Sequence, residues 1–183
     1  WVYDKGHEYQ SRIDHKTLYN LGCSYCSNKK VDVNNCLCST HPNISKQWHP
    51  NKNGILTAKD VVSGSGKKVW WICDKGHEWT AQISDRLKSG CPYCSNKKVN
   101  KENCLATTHP DFSRQWHPTK NALLAPKDVT FGSNKKVWWV CDAGHSFKTK
   151  VITRTRTGTS KKGCPYCSNK KISEENNLAK LNS

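Results

Sequence analysis

The sequence predicts a small metal-stabilised α+β protein, with short β-hairpins and short connector helices repeated in tandem. Three observations carry that expectation. Only 34% of the 183 residues are hydrophobic, mean hydropathy is −0.84, and there are no Met and three Phe. Such a chain cannot bury a large continuous core, so several small units with another source of stability are expected. Two half-sites of form Trp-Trp-x-Cys-x-x-Gly-His, at 70–77 and 138–145, are each followed by Gly-Cys-Pro-Tyr-Cys, ending at Cys94 and Cys167. Three thiols and one imidazole, two on each of two tight turns, form the donor set of a closed tetrahedral zinc site. The predicted ligands are Cys73, His77, Cys91 and Cys94 in one frame, and Cys141, His145, Cys164 and Cys167 in the other. Finally, a shift of 68 residues superposes Trp48 on Trp116, Trp70 on Trp138, Cys73 on Cys141 and Cys26 on Cys94. Self-similarity at a fixed period marks a repeat protein.

The repeat sets the boundaries. Zinc units span 1–35, 66–103 and 134–177, joined by connectors at 36–65 and 104–133. Residues 178–183 read as the start of a further connector, since Asn177-Leu178-Ala179 matches Cys104-Leu105-Ala106. The chain begins at Trp1 in mid-motif, which reads as a fragment or processed product. Within a unit, Val69 to Ile72 and Val137 to Val140 are aromatic and β-branched, as strands are. Gly76 suits the left-handed turn between two ligands, and 78–83 forms a return strand of alternating polarity. Pro92 and Pro165 stiffen the second turn. In the connector, Leu105 to Trp116 predicts one short helix, and 64–66 and 132–134 are turns.

Unit one departs from the pattern. Tyr3 stands where Cys73 stands in unit two, leaving His7, Cys23 and Cys26. Either this unit has lost its metal or another residue completes the set. Cys38 is the candidate donor, because the second connector has Ala106 there; His15 is a weaker one. Cys36 and Cys104, one residue ahead of a Leu, read as small buried side chains or as further ligands.

Lys and Arg number 30 against 14 Asp and Glu, a formal charge of +16. A Cys₃His site with Zn²⁺ carries about −1, so two sites leave the chain at roughly +14. That surplus favours a polyanionic partner, nucleic acid foremost. The basic residues are ordered. Ser-Asn-Lys-Lys follows each Cys-x-x-Cys turn, giving Lys29 and Lys30, Lys97 and Lys98, Lys170 and Lys171. Lys67 and Lys68, then Lys135 and Lys136, precede the Trp-Trp strands, and Lys16, Arg86 and Arg154 follow the return strands. Unit three lengthens its ligand gap from 13 to 18 residues with a loop carrying Arg156, Lys161 and Lys162 among Thr and Ser. Hydroxyls and guanidinium groups both donate to phosphate. Trp71, Trp79 and Trp139 are expected to fill miniature cores, Trp70 and Trp138 to face the other side as stacking candidates. Trp48 and Trp116 are expected to pin the connectors, with His49 and His117 in local hydrogen bonds.

The string Trp-Trp-x-Cys-x3-His, Gly-Cys-Pro-Tyr-Cys, Asn-x-Leu-Ala and Gln-Trp-His-Pro-x-Lys-Asn resembles the tandem probable zinc-ribbon domains of treble-clef type. That resemblance covers nearly the whole chain. It implies zinc at the eight ligand positions named above and, since some members are attached to endonuclease-like domains, nucleic-acid binding. Tyr3 departs from the family pattern.

Two functions follow as expectations: a phosphate-contacting nucleic-acid binder of little sequence specificity, or a structural zinc module in a large assembly, such as a virion or ribonucleoprotein, acting through protein contacts. A metal-dependent nuclease needs clustered carboxylates, and of the 14 acids only Glu174 and Glu175 near the end form such a pair, so no enzyme is expected. Eleven Cys is an odd number, and most fall into metal frames, which argues against a secreted disulfide scaffold. A reducing compartment (cytosol, nucleus, organelle matrix or virion interior) is expected. No apolar run reaches spanning length, so no membrane is expected, and closed Cys₃His sites leave no place for a small-molecule substrate.

Overall fold

The computed structural model describes residues 1–2, 6–17, 22–156 and 163–172. Tyr3, Lys161, Lys162 and the residues from 173 onward, including the predicted connector start at 178–183, lie outside these. The chain divides into two compact units, Trp1–Cys91 and Pro92–Ser183. This division falls inside what the repeat pattern treats as unit two.

In Trp1–Cys91 the sequence order is α1 (Ile13–Thr17), α2 (Leu37–Thr40), α3 (Pro42–Ser45), β1 (Lys68–Ile72), β2 (Glu78–Gln82) and α4 (Ile83–Lys88). The second unit repeats the plan with α5 (Leu105–Thr108), α6 (Pro110–Arg114), a 3₁₀ turn at Pro126–Asp128, β3 (Lys136–Val140), β4 (Ser146–Lys150) and α7 (Val151–Thr155). Each hairpin is antiparallel, with Trp71 opposite Trp79 and Trp139 opposite Phe147. The single connector helix expected over 105–116 is two. Pro110 sits at the first position of α6, where a missing N–H and fixed φ start a helix but cannot continue one. Pro42 does the same before α3. Likewise Ile83 ends the return strand by opening α4.

Alternation along β1 and β3 decides the core. Val69 and Trp71 are buried while Trp70 is exposed; Val137 and Trp139 are buried at 1% and 0%. In the second unit Leu105, Phe112, Val129, Val137, Trp139, Phe147 and Val151 form one cluster with Cys141 and Cys164. The metal turns thus sit on the rim of a core too small to stand alone. The connector is stitched to the hairpin's outer edge. Ile72 N donates to Gln47 O at 2.8 Å and His49 N to Trp70 O at 3.1 Å. Asn53 completes the edge: its Oδ1 accepts from Trp70 N at 2.7 Å and its Nδ2 donates to Trp70 O at 3.0 Å. Asn121 does the same for Trp138. A strand edge left open is a hazard for aggregation, and the connector backbone together with one side-chain amide per repeat closes it here.

The expected anchors are in place. Trp48 meets Trp71 edge-on at 5.5 Å, and Trp116 meets Trp139 at 5.3 Å. Each pinning indole donates to a connector carbonyl, Leu56 O at 3.1 Å and Leu124 O at 3.0 Å. His49 Nδ1 accepts from the N–H groups of Asn51 and Lys52, and His117 Nδ1 from those of Thr119 and Lys120.

Candidate metal centres

Each first half-site is the turn of a hairpin. Cys73 N donates to His77 O at 3.0 Å, and Gly76 N donates back to Cys73 O at 2.8 Å. Gly76 has φ +77°, Gly144 +79° and Gly6 +77°, a region costly for a Cβ. The second half-site is the Cys-x-x-Cys turn, and its hidden element is the Asn of Ser-Asn-Lys-Lys. Asn28, Asn96 and Asn169 all have positive φ, between 54° and 58°. They reverse the chain so that Lys98 N reaches Pro92 O at 2.9 Å and Lys170 N reaches Pro165 O at 2.9 Å. Asn is the non-glycine residue that best tolerates this conformation. Its threefold recurrence is a signal that the reading by charge passed over.

These turns bring the predicted ligands together. Cys73, His77, Cys91 and Cys94 form one group, Cys141, His145, Cys164 and Cys167 a second, and His7, Cys23 and Cys26 a third. Within each group the ligand atoms lie within 4.8 Å of one another. His77 Nδ1 is 3.5 Å from Cys73 Sγ and 3.6 Å from Cys91 Sγ. His145 Nδ1 is 3.5 Å from Cys141 Sγ, 3.3 Å from Cys167 Sγ and 3.9 Å from Cys164 Sγ. Zinc bonds of about 2.3 Å to sulfur and 2.0 Å to nitrogen give tetrahedron edges of roughly 3.5–3.8 Å, so the donors fit the ion. The thiols also behave as a crowded anion set. Burial pushes Cys164 up, but backbone N–H groups of Cys167 and Tyr166 outweigh it and lower the net value. Cys167 is pushed up to about 12, by burial first and then by Cys141 and Cys164. A divalent cation is what lets all three ionise together.

The third group differs. His7 Nδ1 is 3.3 Å from Cys26 Sγ and 3.5 Å from Cys23 Sγ. Its Nε2 lies 2.8 Å from Asp32 Oδ2. A carboxylate behind a ligating imidazole orients the ring and raises its basicity. Residue 100, in the same place after the next Cys-x-x-Cys turn, is Asn. The expectation that Cys38 completes this group is corrected. Its Sγ sits 2.9 Å from Cys36 Sγ instead, outside the His7 group. Helix α2 begins one residue before Cys38, and its backbone is tied to Ala58 O, which directs the thiol to Cys36.

The basic residues divide in two. Lys29, Lys30, Lys67, Lys68, Lys97, Lys98, Lys135, Lys136, Arg156, Lys170 and Lys171 are exposed. Lys16 is half-buried, its ammonium 5.8 Å from the Trp1 ring. Arg86 and Arg154 turn inward, which corrects their assignment to a phosphate-facing surface. Arg154 is 1% exposed, stacked over Phe112 and Phe147 at 5.1 and 5.8 Å, and its guanidinium donates to Gln115 Oε1. Gln115 Nε2 in turn donates to Asp142 Oδ1 at 2.9 Å. Half-buried Arg86 donates to Gln47 Oε1 and to Ser89 O. Burial lowers the value of both arginines, while the thiols of the adjacent site oppose this: Cys164 and Cys141 for Arg154, Cys91 and Cys73 for Arg86. Each thereby sets a cation beside a zinc site of net charge about −1. The Gln of Gln-Trp-His-Pro was the available clue to a buried partner.

Asn35 and Asn103 were also missed. Asn103 Nδ2 donates to Tyr93 O at 2.9 Å and Lys98 O at 2.8 Å, tying the connector to the metal turn, and Asn35 repeats this with Tyr25 O and Lys30 O.

No curated protein matches the chain. The model of the probable treble clef zinc finger domain matches residues 44–97 and 112–170, each match joining a connector to the hairpin and Cys-x-x-Cys turn that follow. With more than half of its length covered and its ligand sets assembled as described, the chain belongs to the probable treble clef zinc finger domain family.

Proposed function

We propose that this structural zinc module binds nucleic acid through phosphate contacts, with little sequence specificity and without catalysis, in a reducing compartment. One observation carries the reading. In the second unit, Lys97 and Lys98 from the Cys-x-x-Cys turn and Lys135 ahead of β3 line one open groove of about 570 Å³. Thr130 and Ser133 line it too, and Asp128 is its one carboxylate. Basic residues 38 apart in sequence thus line a single concave surface. The corresponding positions in the first unit are Lys29, Lys30 and Lys67, all exposed. A closed Cys₃His site offers substrate no coordination position, which supports binding rather than chemistry.

Phosphate binding releases counterions. If six to ten basic groups engage, affinity falls by about 10³–10⁵ between 50 and 200 mM salt. The test titrates salt with duplex DNA, single-stranded DNA and structured RNA. Replacing Lys97, Lys98 and Lys135 together by Gln should flatten the log–log slope on duplex DNA by about 2.7, since each lost contact removes about 0.9. A slope unchanged by the triple substitution refutes the groove. No binding of any probe at low salt refutes the function and leaves assembly through protein contacts.

A further inference from the structure

Three cysteines stand outside the metal groups: Cys36, Cys38 and Cys104. Cys104 is buried, its Sγ 3.3 Å from Thr107 Oγ1. At the matching place in the first connector the surroundings change. Cys36 is equally buried, at 2%, but Cys38 replaces the residue aligned with Ala106 and puts a second sulfur 2.9 Å away. The gap to a disulfide bond, about 2.05 Å, is under one ångström. Both residues lie on one turn at the start of α2, so closure needs side-chain rotation rather than movement of distant segments.

We propose that Cys36 and Cys38 are a reversible dithiol–disulfide site, oxidised by low-molecular-weight disulfides independently of the zinc centres. The roles follow from exposure. Cys38 is partly exposed and Cys36 buried, so the Cys38 thiolate attacks the disulfide R–S–S–R. One sulfur–sulfur bond breaks, RS⁻ leaves and takes up a proton, and a mixed disulfide remains on Cys38. The Cys36 thiolate then attacks the Cys38 sulfur and expels the second RS⁻, which is also protonated. Two electrons pass from the protein to the disulfide; two thiols are consumed and two RSH released.

The local structure favours the second step. Burial pushes the Cys36 thiol up, but hydrogen bonds from Cys38 and Ser39, including their backbone N–H groups, outweigh it and hold the value below that of an ordinary thiol. Ser39 Oγ lies 3.2 Å from Cys36 Sγ. Once Cys38 carries the mixed disulfide its own thiol no longer donates, and Ser39 with the backbone N–H groups of Cys38 and Ser39 holds the Cys36 thiolate beside the sulfur it attacks. Closure of this pair draws on none of the thiols in the metal groups, since neither Cys36 nor Cys38 belongs to one.

The test uses the full zinc-loaded chain exposed to graded glutathione disulfide, with thiol alkylation, peptide mass mapping and zinc content read together. The peptide spanning 36–38 should lose two hydrogens at an oxidant level where zinc remains bound, and dithiothreitol should restore it. Cys38→Ala, which copies the side chain that the second connector carries at 106, should fold, keep its zinc and form no disulfide in this peptide. A parent that stays reduced in excess oxidant, accumulates glutathione on Cys38 without closing, or oxidises only as zinc is released would overturn the proposal.

Discussion

Replacing Arg154 by Ala separates two roles for this residue: surface cation or buried strut. The guanidinium is 1% exposed, lies over two aromatic rings and donates to Gln115, itself 4% exposed and linked to Asp142. Truncation leaves a buried amide oxygen without its donor and removes the cation beside Cys141 and Cys164. Losing a buried hydrogen bond from a charged group costs about 1.5–3 kcal/mol. At about 4–8 °C per kcal/mol for a unit near 100 residues, the melting temperature should fall by at least about 6 °C. Half-buried Arg86 makes the equivalent bond to Gln47, and solvent replaces part of what is lost, so Arg86→Ala should cost about 1–2 kcal/mol. The assay is calorimetric unfolding of the zinc-loaded chain, paired with duplex-DNA binding at low salt. An Arg154→Ala protein that melts with the parent yet binds DNA less tightly would refute the inward assignment.

Further outcomes are expected from the same contacts. Chelation should abolish cooperative unfolding and near-ultraviolet dichroism of the buried tryptophans, because cores of this size fold only with their metal; cooperative melting in excess chelator would contradict the architecture. Trp139→Ala, which empties the centre of the second unit's cluster, should destabilise by about 3–5 kcal/mol, while exposed Trp70→Ala should cost far less, as denaturant titration can read. Asn121→Ala should open the outer edge of β3 and raise amide exchange at Trp138 above that of Trp139. Glu78 is held below the ordinary glutamate value, by Lys52 first and His49 second. A depressed carboxylate contributes stability above its unfolded value and loses it as pH falls through the folded one. Glu78→Gln should therefore lower the melting temperature at neutral pH, and the difference from the parent should vanish on acidification.

Much of the architecture is legible in the chain because short-range chemistry sets it. Metal-ligand spacing, a glycine between two ligands and β-branched aromatic pairs each act within a few residues, so the ligands Cys73 to Cys94 and Cys141 to Cys167, and both hairpins, follow from local pattern. The 68-residue period then locates the connectors. Contacts between distant residues are another matter. Nothing local says that Arg154 turns toward Gln115, 39 residues away, and basic residues in a lysine-rich chain read by default as a solvated surface. Cys38 misled for the same reason: a missing ligand and a spare thiol suggest each other until the direction of α2 sends that thiol to Cys36.

The sequence alone therefore determined the number and chemistry of the complete zinc sites, because a tetrahedral ion accepts few ligand patterns and those patterns are nearly contiguous. Tertiary structure alone decided which cations face solvent, which thiols meet and which lysines share a groove. These are questions of distance and desolvation between segments that only a folded chain brings together.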